Sequence, residues 1–149
     1  MFRVCKLTIS ALEATLLHFI NDTYTESIPF YRMLCMDLKT LESRAGTLMG
    51  KIKDIKDLDV KLIDDVSYVG SGSLPDEGIP TKVVSISLNK KLLNKASIEK
   101  IALNLRLKVP SVFCRVNKDS LCFDMRTLFD GEEIKIAERL KEAIKDVRI

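Results

Sequence analysis

The amino-acid sequence predicts an α+β fold in which helices come first and a small, roughly four-stranded mixed or antiparallel sheet follows. Apolar residues recur at steps of three and four before Asp54, which is typical of helices. Period-two runs around residues 60–88 and 112–125 indicate strands, with a helix between the second and third strands and another at the end. A chain of 149 residues can bury one core. We expect a helical segment at 1–54 and an α+β domain at 55–149, packed as one compact unit.

The first predicted helix, Ile9–Ile20, follows Thr8, a residue type that caps helices. Its apolar residues cover more of the circumference than one core-facing stripe needs. They are Ile9, Ala11, Leu12, Ala14, Leu16, Leu17, Phe19 and Ile20. This helix is therefore predicted to contact the remainder of a larger protein or a second copy of the chain. His18 within it has no second histidine or nearby cysteine, so a structural role is expected.

Two more helices are predicted before the strands. Ser27 and Pro29 resemble a capped helix start, and Asp37 begins a longer helix. The apolar face of that longer helix consists of Leu38, Leu41, Ala45, Leu48 and Ile52. Gly46 and Gly50 would weaken it, which suggests that another element packs closely there.

The central loop, Val69–Pro80, holds three of the six glycines and two of the four prolines. Val60, Leu62, Val66 and Tyr68 alternate before it, and Val84, Ile86 and Leu88 alternate after it, so two strands should flank it. Thr81 to Leu88 does not read as a helix, which excludes a phosphate-binding loop of the strand–loop–helix type.

The second half of the chain predicts a helix, a hairpin and a final helix. The helix buries Ile98, Ile101, Ala102 and Leu105 and is closed by Pro110. The hairpin joins Ser111–Val116 to Leu121–Arg126, with a core face of Val112, Cys114, Val116, Leu121, Phe123 and Met125. Asp130 and Glu133 form a capping-box-like start to the last helix, whose inner face is Ile134, Ala137, Leu140, Ile144 and Val147.

Composition excludes several classes of function. Lysine and arginine number 24 against 21 acidic residues, and the scattered charges do not by themselves indicate nucleic-acid binding. The four cysteines lack zinc spacing, so no metal is expected, and the predicted hairpin places Cys114 and Cys122 on opposite faces. Reduced thiols, no apolar run of membrane-spanning length and no signal-peptide core predict a cytoplasmic protein. No catalytic constellation is self-contained, because a nucleophile system would have to use His18.

Four segments in the right order resemble bacterial selenocysteine synthase, the L-seryl-tRNA(Sec) selenium transferase. Residues 3–16 are similar to its Arg-x-Asp-Lys-[Leu/Met]-Thr-x-x-Ala-Leu-Glu-Ala-Thr-Leu, with Cys5 in place of the aspartate. Residues 28–34 resemble its Ile-Pro-x-x-Arg-Met-Leu, and residues 70–81 resemble its Gly-x-Gly-Ser-Leu-Pro…Leu-Pro-[Ser/Thr]. Residues 112–128 resemble its Val-Ile-Gly-Arg-Ile…Leu-Asp-x-Arg-Thr-Leu, with Cys114 in place of the glycine.

The resemblance implies the C-terminal part of an enzyme with the aminotransferase-like fold that depends on pyridoxal phosphate. That family converts seryl-tRNA(Sec) to selenocysteyl-tRNA(Sec) with selenophosphate, and its members assemble as rings of dimers. The Schiff-base lysine of the family lies N-terminal to the matching region, so this chain alone is expected to bind no cofactor covalently and to be inactive.

Arg3 is the residue that the resemblance assigns to binding the anionic substrate group, and a surface arginine is the alternative. Lys6 does not match the cofactor lysine. Two other functions remain open: a related pyridoxal phosphate enzyme such as a sugar-acid ammonia-lyase, and a stand-alone oligomerisation or interaction domain.

Overall fold

The computed structural model describes residues 3–56, 58–70, 78–89 and 95–147. It confirms the α+β class, with four helices, two strands, a helix, a hairpin and a last helix. The helices are α1 (Lys6–Ile20), α2 (Tyr24–Ser27), α3 (Pro29–Leu34), α4 (Leu38–Ile52), α5 (Lys95–Leu107) and α6 (Glu132–Val147). The strands are β1 (Leu58–Tyr68), β2 (Gly78–Leu88), β3 (Arg115–Asn117) and β4 (Ser120–Asp124). The chain divides into two compact units, residues 1–37 and 38–149.

The N-terminal unit is held together by aromatic rings. Phe19, Tyr24 and Tyr31 contact one another pairwise, with ring centroids 5.1, 5.2 and 5.3 Å apart. Phe30 adds an edge contact to Tyr31. Offset and edge-to-face pairs of this kind contribute about 0.5–1.5 kcal/mol each beyond the area they bury. No residue of α1, α2 or α3 is fully buried, so these ring contacts lie at a half-exposed surface.

The starts of α1 and α3 differ from the sequence prediction. Cys5, not Thr8, is the N-cap of α1, and no side chain caps the helix. Ile28, not Ser27, precedes α3, because Ser27 ends the short helix α2. Pro29 is the first residue of α3, where its missing N–H leaves no hydrogen bond unmade. His18 has the predicted structural setting, with its Nδ1 2.9 Å from the Thr23 hydroxyl.

The C-terminal unit is built on a four-stranded antiparallel sheet in the order β1-β2-β4-β3. Residues that lie opposite each other share a face, which places Val84, Ile86, Leu121 and Phe123 on one side. Helix α4 packs against this side. Lys82 marks the contact, since its ammonium binds Asp64 of β1 and Glu42 of α4, each at 2.7 Å.

The core of this unit is formed by residues of the sheet and of helices α4, α5 and α6. The predicted faces of α4 and α5 are confirmed, except that Leu38 of α4 is exposed. Fully buried core side chains include Leu41, Leu48, Ile52, Leu105, Leu121, Met125 and Leu140. Gly46 and Gly50 have no close neighbour, because a Cβ at either position would meet nothing within 4 Å. The predicted packing of another element onto these glycines is therefore wrong among the described residues.

Helix α6 is joined to α4 by a buried arginine that the sequence prediction missed. Arg44 Nε donates to Glu133 at 2.5 Å, and Arg44 Nη1 donates to the Leu128 carbonyl at 2.8 Å. Glu133 is therefore occupied by Arg44, and the predicted capping box with Asp130 is wrong. Instead Glu132 accepts a hydrogen bond from the Phe129 N–H.

The inner face of α6 also needs correction. Ile134 is exposed, and Ile136 takes its place in the core. The buried apolar stripe consists of Ile136, Ala137, Leu140, Ala143 and Ile144, so Ala137, Leu140 and Ile144 of the prediction are confirmed.

The predicted hairpin is present but shorter, with strands of three and five residues. Arg115 lies opposite Cys122, and Asn117 lies opposite Ser120. Val116 is exposed on the edge strand β3, and Met125 belongs to a 3₁₀ turn after β4. Both Cys122 and Phe123 are buried, so β4 is covered on its two faces.

Part of the predicted central loop belongs to the sheet. Gly78, Ile79 and Pro80 are the first residues of β2 and pair with Tyr68, Ser67 and Val66. Proline is tolerated here because β4 pairs with β2 only from Val83 onward. The rest of the loop, residues 71–77, lies outside the described residues.

Candidate functional site

The face of the sheet that lies opposite α4 carries a cluster centred on one carboxylate. Asp124, at the end of β4, accepts a hydrogen bond from the Thr81 hydroxyl at 2.7 Å and another from the Ser67 hydroxyl. It also accepts from the Arg126 N–H at 3.0 Å. Three donors from three parts of the chain are thereby held by one anion, and charge-assisted hydrogen bonds of this kind are stronger than neutral ones. We call Ser67, Thr81, Asp124 and Arg126 the Asp124 cluster.

Arg126 connects this cluster to the start of β2. Its guanidinium is buried and donates from Nη2 to the Pro80 carbonyl at 2.7 Å. The following residue, Thr127, closes the 3₁₀ turn by donating to the Asp124 carbonyl at 3.0 Å. The segments 79–81 and 124–128, which belong to separate motifs of the resemblance, are therefore in direct contact.

The Asp124 cluster fixes the strand ends on both sides of residues 69–77. Ser67 lies just before this segment and Thr81 just after it, and both hydroxyls bind the same carboxylate. Gly78 completes the closure, because a Cβ there would overlap with Cγ1 of Val66. A side chain at position 78 would push apart two strands that the cluster holds together.

A pocket of about 350 Å³ opens beside the cluster. Asp65 and Arg115 form an ion pair within this region of the sheet. The Val66 N–H and then the Arg115 guanidinium lower the pKa of the Asp65 carboxyl. The pocket is lined by Val66, Ser67, Tyr68, Phe113, Cys114, Arg115, Cys122, Asp124 and Thr127.

Cys114 and Cys122 both line this pocket, although strand alternation would place them on opposite faces. The difference arises because β3 begins at Arg115, so Cys114 lies outside the regular strand. Burial, and then the neighbouring Cys122, raise the pKa of the Cys114 thiol to about 11. A thiol with such a pKa stays neutral near pH 7 and is a poor nucleophile.

The cluster is suited to holding strands together and not to covalent chemistry. A pyridoxal phosphate site needs a lysine beside the cofactor and a carboxylate for its pyridine nitrogen. Asp124 already accepts three hydrogen bonds, and no lysine is among the described residues that line the pocket. The described residues alone do not fit this cofactor.

Arg3, the predicted substrate-binding residue, and Lys6, the lysine that was rejected as the cofactor lysine, both lie in the N-terminal unit. Arg3 is exposed and precedes α1 by three residues, and Lys6 is the exposed first residue of that helix. No hydrogen bond or ion pair of Arg3 is found among the described residues. Cys5 occupies the N-cap position of α1. The family motif has aspartate at this position, where a carboxylate would accept hydrogen bonds from the first N–H groups of the helix.

Ser67 is the member of the Asp124 cluster that sequence reasoning missed. Thr81, Asp124 and Arg126 all lie in quoted motifs, but Ser67 lies in none. Only the register of the sheet, which the sequence does not supply, places Ser67 beside Ile79 on the face that carries Asp124.

The comparisons with known proteins agree with the motifs. The family model described as L-seryl-tRNA selenium transferase matches residues 1–129. An L-seryl-tRNA(Sec) selenium transferase of Aquifex aeolicus is 38% identical over 142 residues, which is 95% of this chain and 30% of the relative. Those of Clostridium botulinum and Alkaliphilus metalliredigens are 36% and 37% identical over 145 residues, which is 96% of this chain and 30% of each relative.

The chain belongs to the L-seryl-tRNA selenium transferase family. It spans about 30% of the length of the curated relatives that it matches. These relatives share one activity name, and the ammonia-lyase alternative gains no support from them. Among the described residues, no helix has both the length and the apolar character that crossing a bilayer requires.

Proposed function

We propose that this chain is the C-terminal portion of a pyridoxal-phosphate-dependent selenium transferase, which works in the cytoplasm. The complete enzyme converts seryl-tRNA(Sec) to selenocysteyl-tRNA(Sec) with selenophosphate. The observation that carries the proposal is the match over nearly the whole chain to less than a third of each relative. The cofactor and its lysine belong to the other part of the enzyme.

In this proposal the N-terminal unit provides two functions. Arg3 binds the anionic group of the substrate, because a guanidinium presents a planar fork of donors to an oxyanion. Helix α1 is the docking surface for the rest of the enzyme or for a second copy of the chain. Its exposed apolar side chains support this role, since Leu7, Leu12 and Ile20 are 80%, 59% and 75% exposed.

The described polar contacts of the C-terminal unit hold its own elements together. The Asp124 cluster fixes the strand ends beside residues 69–77, and the Arg44–Glu133 pair joins α4 to α6. Both are structural roles, which agree with a portion of an enzyme whose reacting groups lie elsewhere.

The proposal that this chain contains no cofactor lysine is tested on the purified chain. The chain is mixed with pyridoxal phosphate, scanned for the aldimine absorbance band, treated with borohydride and mapped by peptide mass spectrometry. The full-length Aquifex aeolicus relative, treated in parallel, is the positive control. We expect stoichiometric labelling of one lysine in the relative and of none in the chain. Stoichiometric labelling of a single lysine in this chain, Lys6 in particular, would overturn the assignment.

A further inference from the structure

Two cysteine thiols, those of Cys114 and Cys122, meet at the pocket beside the Asp124 cluster. Both residues line this pocket, whose volume is about 350 Å³. Cys122 lies opposite Arg115, the residue that follows Cys114 in the chain. Neighbouring strands are about 4.8 Å apart and one residue advances a strand by about 3.3 Å, so the two cysteines lie within reach of one bridging atom.

Both cysteines carry free thiols, and the protein keeps them in the neutral form. Burial, and then the nearby Cys122, raise the pKa of the Cys114 thiol to about 11. A neutral thiol reacts slowly with carbon electrophiles, because the thiolate is the nucleophile. It still condenses with an electrophile whose hydroxyl groups leave as water, since its own proton is then part of the leaving group.

The groups around the thiols do not complete a metal site. Among the described residues, no group of three or more His, Cys, Asp or Glu side chains could hold a metal ion. Asp124 already accepts three hydrogen bonds, and Arg115 is paired with Asp65. A structural zinc ion needs four protein ligands, whereas two sulfurs suit a soft electrophile that forms two bonds to the protein.

Aromatic side chains form another part of the pocket lining. Tyr68 and Phe113 both line it, and they are 64% and 77% exposed. The Val66 side chain adds apolar surface. An aryl group on a ligand held by the two sulfurs would cover part of these rings and remove apolar surface from water.

We propose that Cys114 and Cys122 form a dithiol site for monosubstituted trivalent arsenicals, with the organic group against the aromatic side chains. The reaction is a condensation of R–As(OH)₂ with two thiols. Two As–S bonds form, two As–O bonds break, and each hydroxyl leaves as water with one thiol proton. Arsenic stays trivalent, so no oxidant or reductant takes part. The family motif has glycine at the position of Cys114, so this site goes beyond the proposed function and does not depend on it.

Phenylarsine oxide, which hydrates to the dihydroxy form, is the probe for this site. The reduced 149-residue chain is incubated with one equivalent near neutral pH, and its intact mass is measured. We expect one phenylarsenic group per chain with the loss of two thiol hydrogens, removed again by 2,3-dimercaptopropanol. Peptide mapping should place both As–S bonds on Cys114 and Cys122. Arsenite, which lacks the aryl group, should bind more weakly in a parallel titration.

Variants separate this pair from the other cysteines. Cys114→Gly, which introduces the residue of the family motif, should abolish the one-to-one uptake. The control Cys5→Ser/Cys35→Ser removes the two exposed thiols and should leave the uptake unchanged. Circular dichroism shows whether each variant is folded, and mapping of the parent chain gives the answer independently of the variants.

Bridging of Cys5 to Cys35 in the parent chain, or full uptake by folded Cys114→Gly, would overturn the proposal. Equal affinities for arsenite and phenylarsine oxide would overturn the contact of the organic group with the aromatic side chains. Binding is measured without turnover, so its failure would leave the proposed function unaffected.

Discussion

Strands β1 and β2 approach each other so closely at Gly78 that this position has no room for a side chain. Gly78 pairs with Tyr68, and a Cβ at Gly78 would overlap with Cγ1 of Val66 and also lie 3.6 Å from the Tyr68 ring. The branched Val66 side chain has few alternative rotamers, so the backbone would have to move. In contrast, Gly46 faces open space on an exposed helix surface.

These two glycines therefore predict opposite effects of the same substitution. Gly78→Ala should lower the free energy of unfolding by about 1–3 kcal/mol, as overpacking does. Gly46→Ala should raise it by about 1 kcal/mol through helix propensity. Urea unfolding followed by circular dichroism measures both, and a Gly78→Ala protein as stable as the parent would contradict the close approach of β1 and β2.

The thiol of Cys114 makes a prediction that depends on pH. Its pKa is raised to about 11, so the folded chain favours the neutral thiol, and the contribution of this group to stability is lost as pH rises from 9.0 towards 11. At about pH 8 iodoacetamide should alkylate Cys114 far more slowly than the exposed Cys5 and Cys35. Peptide mapping after timed labelling gives the rates. Labelling of Cys114 as fast as Cys5 would show that the pocket does not shield it.

At the scale of elements, hydrophobic periodicity located each long helix and both central strands, because the buried faces of α4 and α5 and the alternation in β2 dominate the pattern. The helix starts were less predictable. Cap geometry depends on the backbone just before the helix, which led to the errors at Thr8, Ser27 and Asp130. The Arg44–Glu133 pair joins residues that are 89 positions apart, and no local pattern could indicate it.

The N-cap of α1 predicts a stabilising substitution. Cys5 has extended backbone angles, φ −63° and ψ 141°, and its side chain makes no capping hydrogen bond. Cys5→Asp should stabilise the helix by about 1 kcal/mol, because the carboxylate accepts from a free N–H and interacts favourably with the helix dipole. Cys5→Ala is the matched control. Helix content by circular dichroism that is equal in the two variants would contradict this role.

The apolar surface of α1 predicts association of the chain when the rest of the enzyme is absent. Leu12 and Leu16 are 59% and 50% exposed, and burying a leucine is worth about 1.5–3 kcal/mol. Sedimentation equilibrium should show reversible oligomers as concentration rises. Leu12→Glu/Leu16→Glu should shift the chain to monomer, while Ser10→Glu, at an exposed position of the same helix, should not. A parent chain that remains monomeric at high concentration would refute the docking role.

At the scale of the whole molecule, the chain consists of two compact units and belongs to one enzyme family. The resemblance in sequence indicated the family, and the comparisons confirm it. The Asp124 cluster could be predicted only in part, since its motifs were visible but their contact depends on the sheet register. The role of Arg3 stays a prediction, because Arg3 is exposed and the structure holds no substrate beside it.

The most direct test of the proposed function places the chain within a complete relative. In the Aquifex aeolicus relative, the matching segment is replaced by these 149 residues, and conversion of seryl-tRNA(Sec) with selenophosphate is measured. We predict turnover by the chimera and none by the chain alone. Arg3→Ala should reduce turnover by about 100-fold or more, and Lys6→Ala by little. A chimera that folds, assembles and binds pyridoxal phosphate like its parent, yet converts no seryl-tRNA, would contradict the account.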